Sequence, residues 1–328
     1  MASSAITGPA PRPTRVGRIL DYLGSMFRPQ VYVPVAIAKF SVVYFAVQVL
    51  GGHVPISVTW RAAVGTLTLT LFFLLLRVYD ELKDVETDLR LARSGDPRYT
   101  NRPIVTGRVQ VGDLRAFRWW IRGVLVLINL PIGYPGPLLA FAAALGLTWI
   151  SFHWFFWPAV PKSPVLQLVL SNPLSAVLDI YVAAIAIRDG GPMNHPGWFV
   201  VLLVGTWMPA AAWEISRKIR HQPDETNYPS YSKILGWRVA PLFPILFVMI
   251  SGICMSLIAR QSHLSWTYPA VLLAVICVLV GACLRFELYP STRSSNLRPY
   301  SELYVMTAYA GLALALGLRY FVVFGSSH

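Results

Sequence analysis

The sequence predicts an all-α membrane protein of about nine transmembrane helices, and three observations carry that prediction. Hydrophobic residues fill 55% of the 328 positions and charged residues only 13%, against roughly 25% charged in a soluble domain. Mean hydropathy is +0.54. The apolar residues also fall in runs near the roughly 20 residues a helix needs to cross a bilayer. Too long for barrel strands, such runs satisfy their backbone hydrogen bonds in lipid only as helices.

Taken in order, the expected spans are 31–50, 58–79, 116–134, 137–157, 164–187, 197–215, 238–259, 267–285 and 303–324. Between the third and fourth, "NLPIGYPGP" reads as a tight turn or a break. Asn172 before Pro173 caps or breaks the fifth. Residues 31–328 form one membrane unit, because no polar block is long enough to fold alone. Residues 1–30 form a short cytoplasmic tail that leads into an interfacial amphipathic segment, without the basic-then-apolar pattern of a signal peptide. Cys254, Cys277 and Cys283 lie in apolar stretches with no metal spacing, as expected of small packed residues.

Charge sets the orientation. With the N-terminus cytoplasmic, that side receives all 28 Lys and Arg residues except Lys39, Arg61, Arg188, Arg260 and Arg319. This is the positive-inside asymmetry. The +13 net charge therefore reflects topology and anionic headgroups of the lipid bilayer. No basic domain or aromatic-basic signature points to nucleic acid.

The acids need another cause, since they contribute little to topology. Asp80, Asp84 and Asp88 follow the second span at i, i+4 and i+8, which places them on one inclined helix face. Carboxylates so close repel one another, and a divalent cation relieves that repulsion. Mg²⁺ takes one or two carboxylates and leaves positions for water and phosphate oxygens. The competing reading pairs these acids with Lys83, Arg90 and Arg93 on a solvated face. Arg98 and Arg102 follow, and arginine matches phosphate oxygens bidentately. A cation site and a phosphate clamp thus occur together.

"DELKDVETD" followed by "NRPIVTG" resembles the first motif of the UbiA-type intramembrane prenyltransferases, N-D-x-x-D-x-x-x-D and then R-P-x-x-x-G. Asp80 replaces the leading Asn and Glu81 the following Asp; Asp84, Asp88, Arg102, Pro103 and Gly107 match. The resemblance implies a UbiA-type helical bundle with cytoplasmic active-site loops. It also implies Mg²⁺ as cofactor, with Asp80, Glu81, Asp84 and Asp88 as ligands. A second motif is expected after the sixth span. There Glu214, Asp224 and Glu225 are candidates for a second metal, and Tyr231, Ser232, Leu235 and Gly236 follow. Arg217 and Lys218 lie among them, so a surface pairing with Glu214, or direct phosphate binding in place of some metal charge, stays open.

The implied activity is transfer of a prenyl group from a polyprenyl diphosphate to an aromatic or other lipophilic acceptor, with release of diphosphate. Asp80, Asp84, Asp88 and Arg102 are its catalytic candidates, and Arg98, Arg102, Arg217 and Lys218 the diphosphate binders. Asp179, ionisable in mid-span, is a further candidate; it would orient an acceptor, take up a proton, or pair with Lys39. His153, Trp154, Phe155, Phe156 and Trp157 would either wall the prenyl tail or form an interfacial belt. Arg285, Glu287, Arg293 and Arg298 lie in the last cytoplasmic loop, a solvated segment or a lid. Two rivals remain: a terpene cyclase on the same scaffold, and a transporter or lipid-binding protein. The latter predicts internal repeats or half-helices at mid-membrane.

Overall fold

The computed structural model describes residues 14–95, 97–154, 156–157, 159–160, 162–225 and 230–325. These fall into two compact units.

The first unit comprises the chain up to Tyr32 together with Leu71–Val126. Helix α1 (Arg15–Met26) begins where the Thr14 side chain accepts a hydrogen bond from the Gly17 N–H, satisfying one of the donors a helix start leaves open. Helix α2 (Pro29–Leu50) follows. Next, α3 (Trp60–Arg93) runs for 34 residues. At 1.5 Å per residue it exceeds a hydrocarbon core of about 30 Å by about 20 Å. Its last turns, which carry the acids, therefore project beyond the apolar layer. A short α4 (Pro97–Thr100) and then α5 (Val111–Asn129) complete this unit's elements. Among the described residues eight helical stretches are long and apolar enough to span a membrane. The remaining expected span is helical as α5, but Asp113, Arg115, Arg118 and Arg122 make it too polar to count among them.

Helix α1 is fastened inside this unit. The Arg18 guanidinium donates to both oxygens of Asp113 at 2.6 and 2.9 Å, Arg15 donates to the Gly112 carbonyl at 2.8 Å, and the buried Tyr22 hydroxyl donates to the Arg77 carbonyl at 3.4 Å. Asp113 sits in the first turn of α5, where the helix dipole favours an anion. The hydrogen bond from Arg18 holds its carboxyl below the usual carboxylate range, outweighing its burial. A depressed folded-state pKa contributes stability above the unfolded value and loses it as pH falls through the folded one. Docking of α1 is therefore expected to weaken only below the ordinary carboxylate range. Protection of the α1 amides, taken relative to their intrinsic exchange rates, should hold from pH 7 down to about pH 4 and fall below it, whereas Asp113→Asn should show low protection that is nearly independent of pH.

The second unit comprises Val33–Thr70 and Leu127 onward. It contains most of α2, the first turns of α3, and α6 (Pro135–Trp154), α7 (Pro164–Ser171), α8 (Pro173–Gly190), α9 (Gly197–Ser216), α10 (Tyr231–Leu235), α11 (Leu242–Gln261), α12 (Thr267–Leu288), α13 (Arg298–Met306) and α14 (Leu312–Tyr320). The expected fifth span is thus broken in two at Asn172-Pro173, and the Asn172 side chain accepts from the Trp207 indole. A π-helical turn, Thr307–Gly311, joins α13 to α14. α9 packs along α11, α6 against α8, and α11 against α12. Small residues allow the close approaches, as membrane helices favour. A Cβ on Gly65 would lie 2.3 Å from the Phe40 ring, and one on Gly252 would lie 2.6 Å from Ile276.

Besides the helices, a parallel two-strand ribbon pairs β1 (Ile56–Val58) with β2 (Val322–Phe324), in register Ile56 to Val322, a contact between distant segments that no local pattern announces. Beside it, Asp189 accepts from Arg61 at 2.7 Å, Thr59 at 2.8 Å and Tyr44 at 2.6 Å. This buried pairing accounts for Arg61, one of the exceptions to the charge asymmetry. The three cysteines are free.

Candidate functional site

The first acid cluster occupies the projecting end of α3. Glu81 and Asp88 are buried, whereas Asp80 and Asp84 are half-buried. Cations lie against these acids: Lys83 to Asp80 at 2.8 Å, Arg77 to Glu81 at 2.8 Å, and Arg102 to Asp88. Lys83 therefore makes the pairing that the competing sequence reading envisaged. The other partners are the unexpected Arg77, one turn before the acids, and the expected Arg102, fourteen residues beyond Asp88.

Arg102 reaches Asp88 because of the local turn that follows α4. Its N–H donates to the Tyr99 carbonyl at 3.1 Å, and its own carbonyl accepts from the N–H groups of Val105 and Thr106, each at 3.0 Å. Val109 N–H closes back on the Pro103 carbonyl at 3.1 Å. Gly107 takes φ +73°, a left-handed conformation that side chains with a Cβ disfavour. The R-P-x-x-x-G spacing is therefore the spacing of a compact reversal. The guanidinium also lies over the Tyr99 ring at 4.7 Å, so a carboxylate and an aromatic face fix its plane. The Arg98 backbone belongs to α4, but its side chain is outside the described residues.

The resemblance implies a divalent metal, and the first cluster fits one by donor type. All its ligand atoms are carboxylate oxygens, the hard donors Mg²⁺ prefers. Glu81 keeps one buried oxygen, Oε1, with no hydrogen-bond partner, where burial without a partner is costly. Among the described residues no three Asp, Glu, His or Cys side chains converge as a ready-made metal set. Mg²⁺ does not require three, because waters and phosphate oxygens complete its octahedron.

The second cluster, at the end of α9, is arranged differently. Glu214 is held by Arg217 at 2.6 Å and by Lys218 at 2.8 Å. Lys218 is buried and also donates to Gln167 of α7 at 3.1 Å. Glu225 is bound by the Ser230 and Ser232 hydroxyls at 2.6 to 2.7 Å. Asp224 faces His221 at 3.9 Å. The surface pairing of Glu214 with Lys218 is thus formed, and the three acids do not meet as a metal set.

Asp179 is wholly buried. Its Oδ1 pairs with Lys39 at 2.7 Å, and its Oδ2 accepts from Thr206 at 2.9 Å. Lys39 also donates to Ser175 at 3.1 Å and lies 5.4 Å from the centre of the Tyr309 ring. Of the roles expected for Asp179, the structure realises the pairing with Lys39. Oδ1 has this ion pair but no hydrogen-bond partner, and the expected roles toward an acceptor or a proton are left to experiment. In the aromatic run, Phe156 and Trp157 are about 60% exposed. Phe155 lies outside the described residues.

No family model matches the chain. Two curated relatives do, both protoheme IX farnesyltransferases. The one from Pseudarthrobacter chlorophenolicus is 24% identical over 58% of this chain and 56% of its own length. That from Leifsonia xyli is 24% identical over 54% and 55%. The chain thus spans about half the length of the curated relatives it matches. Two solved structures share the fold across nearly their whole length. A UbiA homologue from Aeropyrum pernix superposes with a TM-score of 0.61 at 17% identity, covering 84% of this chain and 97% of the other. A digeranylgeranylglyceryl phosphate synthase superposes at 0.59 and 12%, covering 91% and 98%. The eight long apolar helical stretches among the chain's described residues are those of a multi-pass membrane protein, and their arrangement is the fold of these two structures. The chain thus shares its fold with a UbiA homologue and is similar in sequence to protoheme IX farnesyltransferases over about half of its length.

Proposed function

We propose that the chain is a Mg²⁺-dependent intramembrane prenyltransferase, which takes the prenyl group of a polyprenyl diphosphate to a lipophilic acceptor. The observation that carries this reading is the junction of the α3 acids with Arg102, a guanidinium held in plane by Asp88 and Tyr99 beside oxygen donors at the membrane edge. Mg²⁺, when bound, supplies positive charge that stabilises the departing diphosphate. Asp80, Glu81, Asp84 and Asp88 are the residues that would hold it. Arg102 would bind a phosphate oxygen pair, its geometry set before substrate arrives and therefore without reorganisation at the moment of bond cleavage. Arg98 follows the same acids in sequence and would add a second guanidinium. Apolar helix surfaces would keep water from the allylic cation until the acceptor captures it. In this reading the α3 end and the loop after it face the cytoplasm, where the basic residues concentrate.

The names of the matched relatives make farnesyl diphosphate and protoheme IX the first pair to test. Purified protein in lipid nanodiscs, given Mg²⁺ and farnesyl or geranylgeranyl diphosphate, is expected to release diphosphate and form a prenylated acceptor visible by mass analysis. A cyclic hydrocarbon or alcohol formed without acceptor would replace transfer by cyclisation. Neither product nor diphosphate release with any acceptor tried would remove the enzymatic reading.

A further inference from the structure

The second acidic motif does not present itself as a metal site, and its arrangement suggests a different use. Both oxygens of Glu214 are taken by full positive charges, Arg217 at 2.6 Å on Oε2 and Lys218 at 2.8 Å on Oε1. A metal would have to displace both charge-assisted bonds, which are the strong ones. Glu225 is committed as well. Ser230 and Ser232 donate to it, Ser232 accepts from the Arg220 N–H at 2.9 Å, and Ser230 caps α10 by accepting from the Lys233 N–H at 3.0 Å. Removing Glu225 to a metal would open the loop it closes. Asp224 alone keeps an oxygen, Oδ2, without a hydrogen-bond partner.

The two cations, by contrast, are well placed for an anion. They follow the C-terminus of α9, where the partial negative charge of the helix end favours cations. Lys218 is positioned from three sides: by Glu214, by Gln167 at 3.1 Å, and through its carbonyl, which accepts from the Tyr231 N–H at 3.3 Å. Tyr231 is itself tied to the Pro164 carbonyl at 2.9 Å. Arg217 is exposed and lies over the Trp213 ring at 5.0 Å. A buried ammonium and an accessible guanidinium, one carboxylate between them, form a pair from which a stronger anion can displace that carboxylate.

We infer that in this chain Arg217 and Lys218 take diphosphate oxygens directly, in place of a second metal ion, and that Glu214 holds the two cations ready until the diphosphate displaces it. This rests on the prenyl-diphosphate reading above. The role of Glu214 then has the opposite sign from that of a metal ligand: it competes with substrate.

The test is Mn²⁺ binding, followed by electron paramagnetic resonance, on the full chain in nanodiscs with farnesyl thiolodiphosphate as a non-reacting probe. The expected result is a single Mn²⁺ per chain. Glu214→Gln should keep that stoichiometry and bind the probe more tightly, by about threefold or more, as release from an ion pair predicts. Lys218→Gln should weaken the probe about tenfold or more without changing the metal count. Because Lys218 is buried, Arg217→Gln at the exposed position serves as a second variant with the same expected direction. Two Mn²⁺ per chain, with one lost in Glu214→Gln or Asp224→Asn, would overturn the inference and leave the prenyl-diphosphate reading standing. Binding of neither Mn²⁺ nor the probe by the wild-type chain would overturn both.

Discussion

Asp88→Ala is expected to reduce diphosphate release by about a thousandfold, the scale seen when a preorganised charge-stabilising group is lost. Two effects combine. One oxygen donor of the α3 cluster disappears, and Arg102 loses the carboxylate that holds its guanidinium. Asp84→Ala removes only the first and should reach a similar loss if Asp84 is a ligand. Neither change should impair insertion, since both residues lie on the part of α3 that extends past the hydrocarbon. Arg102→Lys keeps the charge but not the bidentate fork, and a milder loss of about tenfold is expected. Turnover by pyrophosphate release, with the folded fraction checked by gel filtration in detergent, separates these cases. Normal turnover in Asp84→Ala and Asp88→Ala would sink the metal assignment on α3.

The second large effect concerns stability. Lys39→Met leaves the Asp179 carboxylate buried without its cation, and breaking such a pair from one side costs about 3–5 kcal/mol. Thr206 remains as a hydrogen-bond donor, but a neutral hydroxyl does not replace a charge. Removing both partners in Lys39→Met with Asp179→Leu should restore most of the loss, because a buried ion pair is often no more stabilising than apolar residues of similar volume. Unfolding in a denaturing detergent series reads both variants. The double variant also decides the role of Asp179. If it is stable and active, the pair is structural; if it is stable and inactive, Asp179 takes part in the reaction after all.

The α3 acids and the Arg102 turn were legible because both are local. An i, i+4, i+8 row of carboxylates lies on one face of any helix, and Arg-Pro with a glycine four residues after the proline describes a reversal closed by its own backbone. Local pattern no longer decides where the outcome depends on competition between partners. Glu214 stands at i+3 from Arg217 and i+4 from Lys218, a spacing equally compatible with an ion pair and with a metal site whose cations point elsewhere. Arg77 was not singled out, although it stands four residues before Glu81 and so within the same helical rule. Nothing in the sequence near Asp189 announced Arg61, Thr59 and Tyr44, which come from distant positions.

By itself, then, the sequence determined that lipid is the solvent, that the runs are helices, and that one helix ends in a face of carboxylates followed by a phosphate-matching arginine. These follow from hydropathy and from backbone hydrogen bonding, which act over a few residues. Tertiary structure decided what each charge does: Asp179 neutralised inside the bundle, Glu225 closing a loop, and Glu214 occupied by two cations. An ionised group inside a low-dielectric protein is governed by whichever opposite charge lies nearest, and only packing brings that charge near.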